Sequence, residues 1–320
     1  MSETAFIESL RRLASNPAAR GLKDDVAVLD IAGRCLVLTH DMLVEGVHYL
    51  PDDPPEDVAW KLLAVNLSDL AAKGARPIGA LLGYTLGEAE WDRAFVEGLG
   101  VALEAFDLPL LGGDTVAAPA GAPRSLGLTA LGEAAGAVPS RAGAAPGDHL
   151  WVTGTIGDSG AGLRVLRGEL GPSPALARRY RTPRPRLDAG ERLAPLVSAM
   201  MDVSDGLLID ASRLAAASGC ALEVDLALIP LSAAFVAALG EDRRFAATAG
   251  DDYELLFTAA PERAADILAL SERLGVAIGR IGSAASGAGL RLVEGGRPAP
   301  LPDTLGWEHA DMVESSAKRP

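Results

Sequence analysis

The sequence predicts an α/β chain of the α+β type, organised as two α/β domains. Three observations support this. The chain has 320 residues, which suits two domains of ordinary size. Short Val/Leu/Ile-rich runs alternate with segments of helical period from end to end. One stretch, 132–147, is small, rich in Ala, Gly and Pro, and without period. It divides the chain into a domain over 1–137 and a second over 138–320.

The elements follow in order. Phe6, Ile7, Leu10 and Leu13 carry helical spacing over 4–14. Strand runs occupy 26–31 and 35–43. Pro54-Pro55 opens a helix reaching Gly74, with Asp57, Lys61 and Lys73 as its polar marks. A strand over 78–86, a helix over 90–106, and strands over 108–116 and 126–131 complete the first half. In the second half a strand at 149–153 leads into a Gly-rich loop, 154–162, and a helix to Gly168. Residues 171–185, with four prolines and four arginines, read as a surface loop. A helix over 188–199, a strand over 200–203, a helix over 207–218 and a strand over 221–228 follow. The chain then predicts a strand at 253–258, a helix at 262–274, and strands at 278–281 and 290–293.

Composition narrows the function. The net charge is −14, and the basic clusters Arg11-Arg12 and Arg178-Arg179 are short. Nucleic-acid affinity comes largely from basic groups on phosphates, so no such partner is expected. No apolar run reaches the roughly 18 residues of a membrane span. The N-terminus lacks the basic-then-apolar order of a secretion signal. Cys35 and Cys220 form no CxxC pair, which argues against a zinc site or disulfide framework and fits a reducing cytoplasm.

No Gly-Lys dipeptide occurs, so there is no Walker A loop, and no HRD or DFG triplet marks a protein kinase. Instead, aspartates recur in and beside apolar strands. Asp24-Asp25 precedes VAVLDI, Asp41 lies in LVLTHDML, Asp69 in NLSDL, Asp114 in LLGGDTV, and Asp202 and Asp205 frame DVSDG. A single such residue is most simply a cap or turn. The recurrence favours a divalent cation, because carboxylates in apolar surroundings are costly unless paired or metal-bound. Magnesium takes hard oxygen ligands and leaves room for phosphate. The loop GTIGDSGAG at 154–162 could cradle phosphate or simply form a sharp strand–helix turn. Its GDSG string lacks the all-β context and matching histidine segment of a serine protease. His40 and His48 flank Asp41, while His149 and His309 read as structural and surface residues.

The motifs GLKDDVAVL (21–29), LTHDMLVEGVHYLP (38–51), AVNLSDLAAKGARP (64–77), LLGGDT (110–115), SRAGAAPGD (140–148), VTGTIGDSGAGL (152–163), DVSDGL (202–207) and AGDDYELLF (249–257) together resemble the thiamine-monophosphate kinases. These belong with aminoimidazole ribonucleotide synthetase, selenophosphate synthetase and a hydrogenase maturation enzyme. The resemblance covers essentially the whole chain. It implies an N-terminal domain whose sheet pairs with a second subunit into a barrel, and hence a homodimer. It also implies phosphoryl transfer from ATP to thiamine monophosphate, with several Mg2+ ions and with K+ left open. By position, Asp25, Thr39, His40, Asp41, Asp69, Asp114, Asp202 and Asp205 would surround the metal ions. Asp69, Asp114, Asp202 and Asp205 would be the catalytic set. Gly113, Asp114, Arg141 and Ser204 would contact ATP, and His48, Asp251 and Trp307 the thiamine substrate.

Three positions depart from the family pattern: Lys23 for Gly, His40 for Thr or Ser, and Asp251 for Glu. The first puts a turn in doubt, because lysine does not take positive φ cheaply. Within the superfamily, no cysteine precedes Cys35 for selenophosphate chemistry, and the C-terminal Ala-Lys-Arg-Pro carries no reactive cysteine. An aminoimidazole ribonucleotide synthetase-like enzyme and a silent nucleotide-binding paralogue remain as alternatives.

Overall fold

The computed structural model describes residues 3–119 and 121–308; His309 lies outside them. The first half contains α1 (Glu3–Arg11), β1 (Ala27–Ile31), β2 (Arg34–Val44), α2 (Pro55–Ala72), β3 (Ala75–Leu86), α3 (Ala89–Ala105), β4 (Leu110–Ala117) and β5 (Ser125–Ala134). A two-residue turn joins β1 to β2, with Ala32 and Gly33 both at positive φ, as the twist of a hairpin requires. The five strands form one sheet in the order β1-β2-β5-β3-β4. The sheet is open, and β4 is an exposed edge.

Helix α2 starts with proline and acidic residues in its first turn and stops where Gly74 turns left-handed. Every residue from Lys61 to Ala72 is buried. A helix enclosed all round is a core element rather than an amphipathic cover. One side packs on β2, β3 and β5 through Leu62, Leu63, Leu67 and Leu70. Its C-terminal end enters the other half, where Ala71 and Ala72 meet Leu193, Met200 and Phe257.

The second half contains β6 (His149–Thr153), α4 (Asp158–Leu166), α5 (Pro174–Arg181), α6 (Leu187–Leu193), β7 (Ala199–Asp202), α7 (Leu207–Ser218), β8 (Ala221–Asp225), α8 (Ala233–Leu239), α9 (Arg243–Ala249), β9 (Leu255–Ala259), α10 (Ala264–Leu274), β10 (Ile278–Ala285), β11 (Gly289–Glu294) and β12 (Arg297–Ala299). Its seven strands run in the order β12-β11-β8-β10-β6-β9-β7. Both faces are covered, and the strand period of two separates them. Leu150, Val152, Met201 and Leu256 face α7 and its neighbours. Trp151, Met200, Leu255 and Phe257 face α6, α10 and the end of α2. Close approach fixes the junction: a Cβ on Gly190 in α6 would sit 1.9 Å from the Ala71 carbonyl oxygen.

Several elements differ from the sequence expectation. The Pro/Arg-rich segment read as a loop contains α5, which buries Leu176 and Tyr180. Proline at its first turn suits a helix start. Helices α8 and α9 lie outside the sequence expectation, because seven residues give too short a period, and so does the three-residue strand β12. Lys23 adopts φ −113, so the turn before β1 takes its positive φ values at Arg20, Gly21 and Leu22 instead.

Candidate active site

The acidic residues come from three distant elements. Asp25 precedes β1, Asp69 lies on α2, and Asp202 ends β7. Carboxylate oxygens of these three lie within 4.8 Å of one another. Strand β2 adds Thr39 and Asp41, whose side chains alternate onto the side facing α2. The Thr39 hydroxyl donates to Asp69, and the Ser68 hydroxyl donates to Asp202 at 2.6 Å. The Asn66 side-chain oxygen accepts from the Asp41 N–H.

These carboxylates repel one another in a site largely closed to water. Burial, reinforced by the Asp205 charge, pushes Asp41 up to about 6. Burial pushes Asp202 up to about 6 as well, with Asp41 adding to it against the Ser68 hydrogen bond. Asp69 is raised well above the ordinary range by burial, then by Asp41 and Asp202. Asp24 behaves oppositely. Burial raises it, but Lys73 at 2.5 Å and Arg20 at 2.6 Å outweigh burial and hold it below the usual carboxylate range.

Like charges gathered under low exposure are what a divalent cation would relieve. The donor set is all oxygen, which suits magnesium rather than zinc or copper. The residues present therefore fit a magnesium site.

The other predicted residues divide. Arg141 forks onto Asp25 through Nε and Nη2, so its guanidinium is joined to the acidic cluster. Ser204, Asp205 and Gly206 form a turn whose three N–H groups all donate to Asp210, and Asp205 pairs with Arg213. Trp307 is exposed, and its backbone N–H donates to the Asp205 carbonyl at 2.9 Å. His48 Nδ1 accepts from the Val44 N–H, while its carbonyl receives Lys61. Asp251 receives Lys61 and the Tyr253 hydroxyl.

Two predicted metal residues stand apart in this chain. His40 is exposed on the sheet face opposite Thr39 and Asp41, with Nδ1 2.9 Å from the Thr129 hydroxyl. Strand alternation dictates that separation. Asp114, beside Gly113, lies on the exposed edge strand β4. Strands β5 and β3 intervene between β2 and β4, a span of about 14 Å at ordinary strand spacing. Gly113 is required where it stands, because a Cβ would lie 1.9 Å from the Leu82 carbonyl oxygen.

The Gly-rich loop is occupied by the protein itself. Both Asp252 oxygens accept the Gly157 N–H, and Gly160 and Gly162 admit Ala249 and the Leu176 carbonyl. Its glycines serve packing. Lys61, Lys73 and Asp210 were not singled out in the sequence as site residues. Lysines on a helix ordinarily reach solvent, and only the enclosure of α2 makes these two internal.

Residues 23–134 match the AIR synthase related protein N-terminal domain, and residues 145–294 the AIR synthase related protein C-terminal domain. The thiamine-monophosphate kinase of Salmonella typhimurium is 41% identical over 302 residues, covering 90% of this chain and 91% of that protein. The chain belongs to the thiamine-monophosphate kinase family. The Caulobacter vibrioides member is 42% identical, over 92% of this chain and 86% of its own. Among solved members of the family, AaThiL complexed with AMPPCP and TMP is 31% identical with a TM-score of 0.84, covering 96% of this chain and 97% of its own. The hydrogenase maturation protein HypE of E. coli, 24% identical with a TM-score of 0.72, shares the fold over 94% of this chain and 98% of its own.

Proposed function

We propose that the chain transfers the γ-phosphoryl group of ATP to thiamine monophosphate, giving thiamine diphosphate and ADP. The observation that carries this is the convergence of Asp25, Asp69 and Asp202 from both halves of the chain within 4.8 Å. Family membership and the relative that binds an ATP analogue with TMP support the substrate pair.

The nucleophile is a phosphate oxygen of thiamine monophosphate. A phosphate monoester has a second pKa near 6, so the oxygen is already ionised at neutral pH and needs no strong base. It attacks the γ-phosphorus in line, the bond to the β–γ bridging oxygen breaks, and ADP leaves. Positioning and charge neutralisation do most of the work in such transfers. Asp25, Asp69 and Asp202 would hold magnesium, with Asp41 and Asp205 beside them; bound magnesium supplies the positive charge that lets two polyanions approach. Arg141, released from Asp25, would fork onto ATP phosphate. Ser204 would contact ATP through the turn that Asp210 holds. His48 and Asp251 would take the thiamine end, and Trp307 would offer an aromatic face to a cationic ring.

Gly113, Asp114 and His40 fit a dimeric reading. The sheet face away from α2 exposes Met42 and Leu81, and the edge strand exposes Leu111. An open sheet with an apolar face and an unpaired edge is suited to a second copy. Asp114 and Gly113 would then lie at the subunit boundary. Among the described residues no helix is long and apolar enough to cross a membrane.

Incubation with ATP, Mg2+ and thiamine monophosphate, with direct detection of products, tests the reaction. Thiamine diphosphate and ADP in equal amounts are expected. ATP consumption only with an aminoimidazole precursor, or ATP binding without any thiamine diphosphate, would overturn the assignment.

A further inference from the structure

We infer that Lys61 is the positioning residue of the thiamine monophosphate subsite, holding the Asp251 carboxylate and the His48 carbonyl on a single ammonium. This rests on the kinase reading above, which puts the thiamine end at His48 and Asp251.

Lys61 lies on α2 and is 1% exposed. Its Nζ donates to the His48 carbonyl at 2.9 Å and to Asp251 Oδ2 at 2.9 Å. The same Nζ sits 3.9 Å from the centroid of the Tyr180 ring. A buried ammonium needs such company, because an unpaired one is expensive. The arrangement ties together the loop after β2, helix α5 and the segment before β9.

That last segment is strained. Asp251 stands at φ 63 and Tyr253 at φ 52, two non-glycine residues in the left-handed region within three positions. Such strain persists only where neighbours over-determine it. The Asp251 N–H donates to the Ser204 carbonyl at 2.6 Å, and the Tyr253 N–H to the Val203 carbonyl at 2.8 Å. The Tyr253 hydroxyl then donates to Asp251 Oδ1 at 2.8 Å. Among the described residues Lys61 donates to one carboxylate oxygen of Asp251 and Tyr253 to the other, and each oxygen retains capacity for a further bond.

Exposure separates the two partners. The Asp251 side chain is 32% exposed, while that of Lys61 is 2% exposed. A ligand in the cleft can meet the carboxylate but not the ammonium behind it. Lys61 therefore acts through Asp251 and His48. Its ammonium also offsets the Asp251 charge, so the carboxylate can accept a hydrogen bond beside an anionic substrate without adding net repulsion.

Steady-state kinetics of the full chain, varying each substrate separately, tests this with thiamine monophosphate and ATP as probes. In Lys61→Met, the KM for thiamine monophosphate is expected to rise tenfold or more, with the KM for ATP within twofold of wild type. Lys61→Arg, which keeps the charge, should recover part of the loss. Asp251→Asn added to Lys61→Met should cost less than the product of the single effects, since the two act as one unit. A variant with a lower thermal midpoint but an unchanged KM for thiamine monophosphate would overturn the inference, as would equal rises in both KM values. If Lys61→Met does not fold, Tyr253→Phe removes one hydrogen bond to Asp251 and keeps the ring. It should raise the same KM severalfold, and an unchanged value would overturn the inference. Wild type is assayed alongside: absence of thiamine diphosphate there defeats the kinase reading itself, whereas an active wild type with insensitive variants defeats only the role of Lys61.

Discussion

The Ser68 hydroxyl donates to the Asp202 carboxylate at 2.6 Å, joining positions 134 residues apart. Ser68 sits near the C-terminal end of α2 and Asp202 at the end of β7. The bond fixes the next residue, Asp69, against the second half of the chain. An acidic cluster assembled across two lobes is therefore sensitive to anything that shifts α2.

Replacement of one cluster carboxylate by an isosteric amide separates charge from shape. Asp69→Asn and Asp202→Asn are each expected to lower kcat by roughly a hundredfold or more, the scale on which one preorganised electrostatic group acts. The fold should survive, because each change removes a buried repulsion. Circular dichroism with product detection checks both. Wild-type turnover in the two variants contradicts the metal assignment.

The cluster also predicts a pH signature in metal-free protein. Asp41 and Asp202 stand near 6 against an ordinary 3.8. A carboxyl raised in the folded state contributes stability that is fully present below its unfolded pKa and is lost as pH rises through the folded value. Asp24, held low, acts in the opposite direction below its ordinary 3.8. Between about pH 4.5 and 7, the wild type should therefore lose stability relative to Asp202→Asn, and Mg2+ should restore it. Thermal melts of both proteins across that range provide the check; a constant difference would refute it.

The junction between halves depends on Gly190. A side chain there meets the Ala71 carbonyl at 1.9 Å. Gly190→Val should cost about 1–3 kcal/mol through overpacking, or several degrees of thermal midpoint. Turnover should fall as well, because α2 carries Asp69. Turnover matching wild type in a destabilised variant would separate the junction from the site.

Glu254 provides a contrasting stability test. It is fully buried and accepts from Thr153, Arg179 and Arg186 at 2.5–2.9 Å. Both arginines keep about a fifth of their side chains in water. Glu254→Gln should therefore cost about 3 kcal/mol, the lower end for breaking a buried ion pair. Urea denaturation measures it directly. A change below about 1 kcal/mol would place the arginines in solvent once released.

The exposed sheet face predicts the assembly. Leu81→Glu combined with Leu111→Glu should convert a dimer to monomers in sedimentation, because charge on both residues opposes burial of that face. A monomeric wild type would remove the dimeric reading.

Much of this was legible in the sequence, for identifiable reasons. Asp41 and Asp202 announced themselves as charges inside apolar strands, a pattern that backbone geometry alone does not require. Strand alternation at Thr39, His40 and Asp41 already separates His40 from its neighbours. Other features depend on tertiary enclosure. Lys61 and Lys73 look like solvated helix marks until both lobes close around α2. Arg141 is assigned to ATP through the family motif, but its anchoring on Asp25 depends on the fold. Helix α5 was obscured because its prolines and arginines suggest a loop, while Leu176 and Tyr180 supply the buried contacts that hold it. Asp114 carries a family motif, but its place on edge strand β4 follows from sheet order, which no local pattern encodes.

Dispersed aspartates that hold divalent cations between two charged substrates would mark the metal positions in a crystal. A crystal structure with Mn2+ and a non-hydrolysable ATP analogue, read by anomalous scattering, tests this most directly. Metal peaks bounded by Asp25, Asp69 and Asp202 are expected, with Arg141 withdrawn from Asp25 toward phosphate. A nucleotide-loaded structure whose metal peaks lie away from all three carboxylates would contradict it.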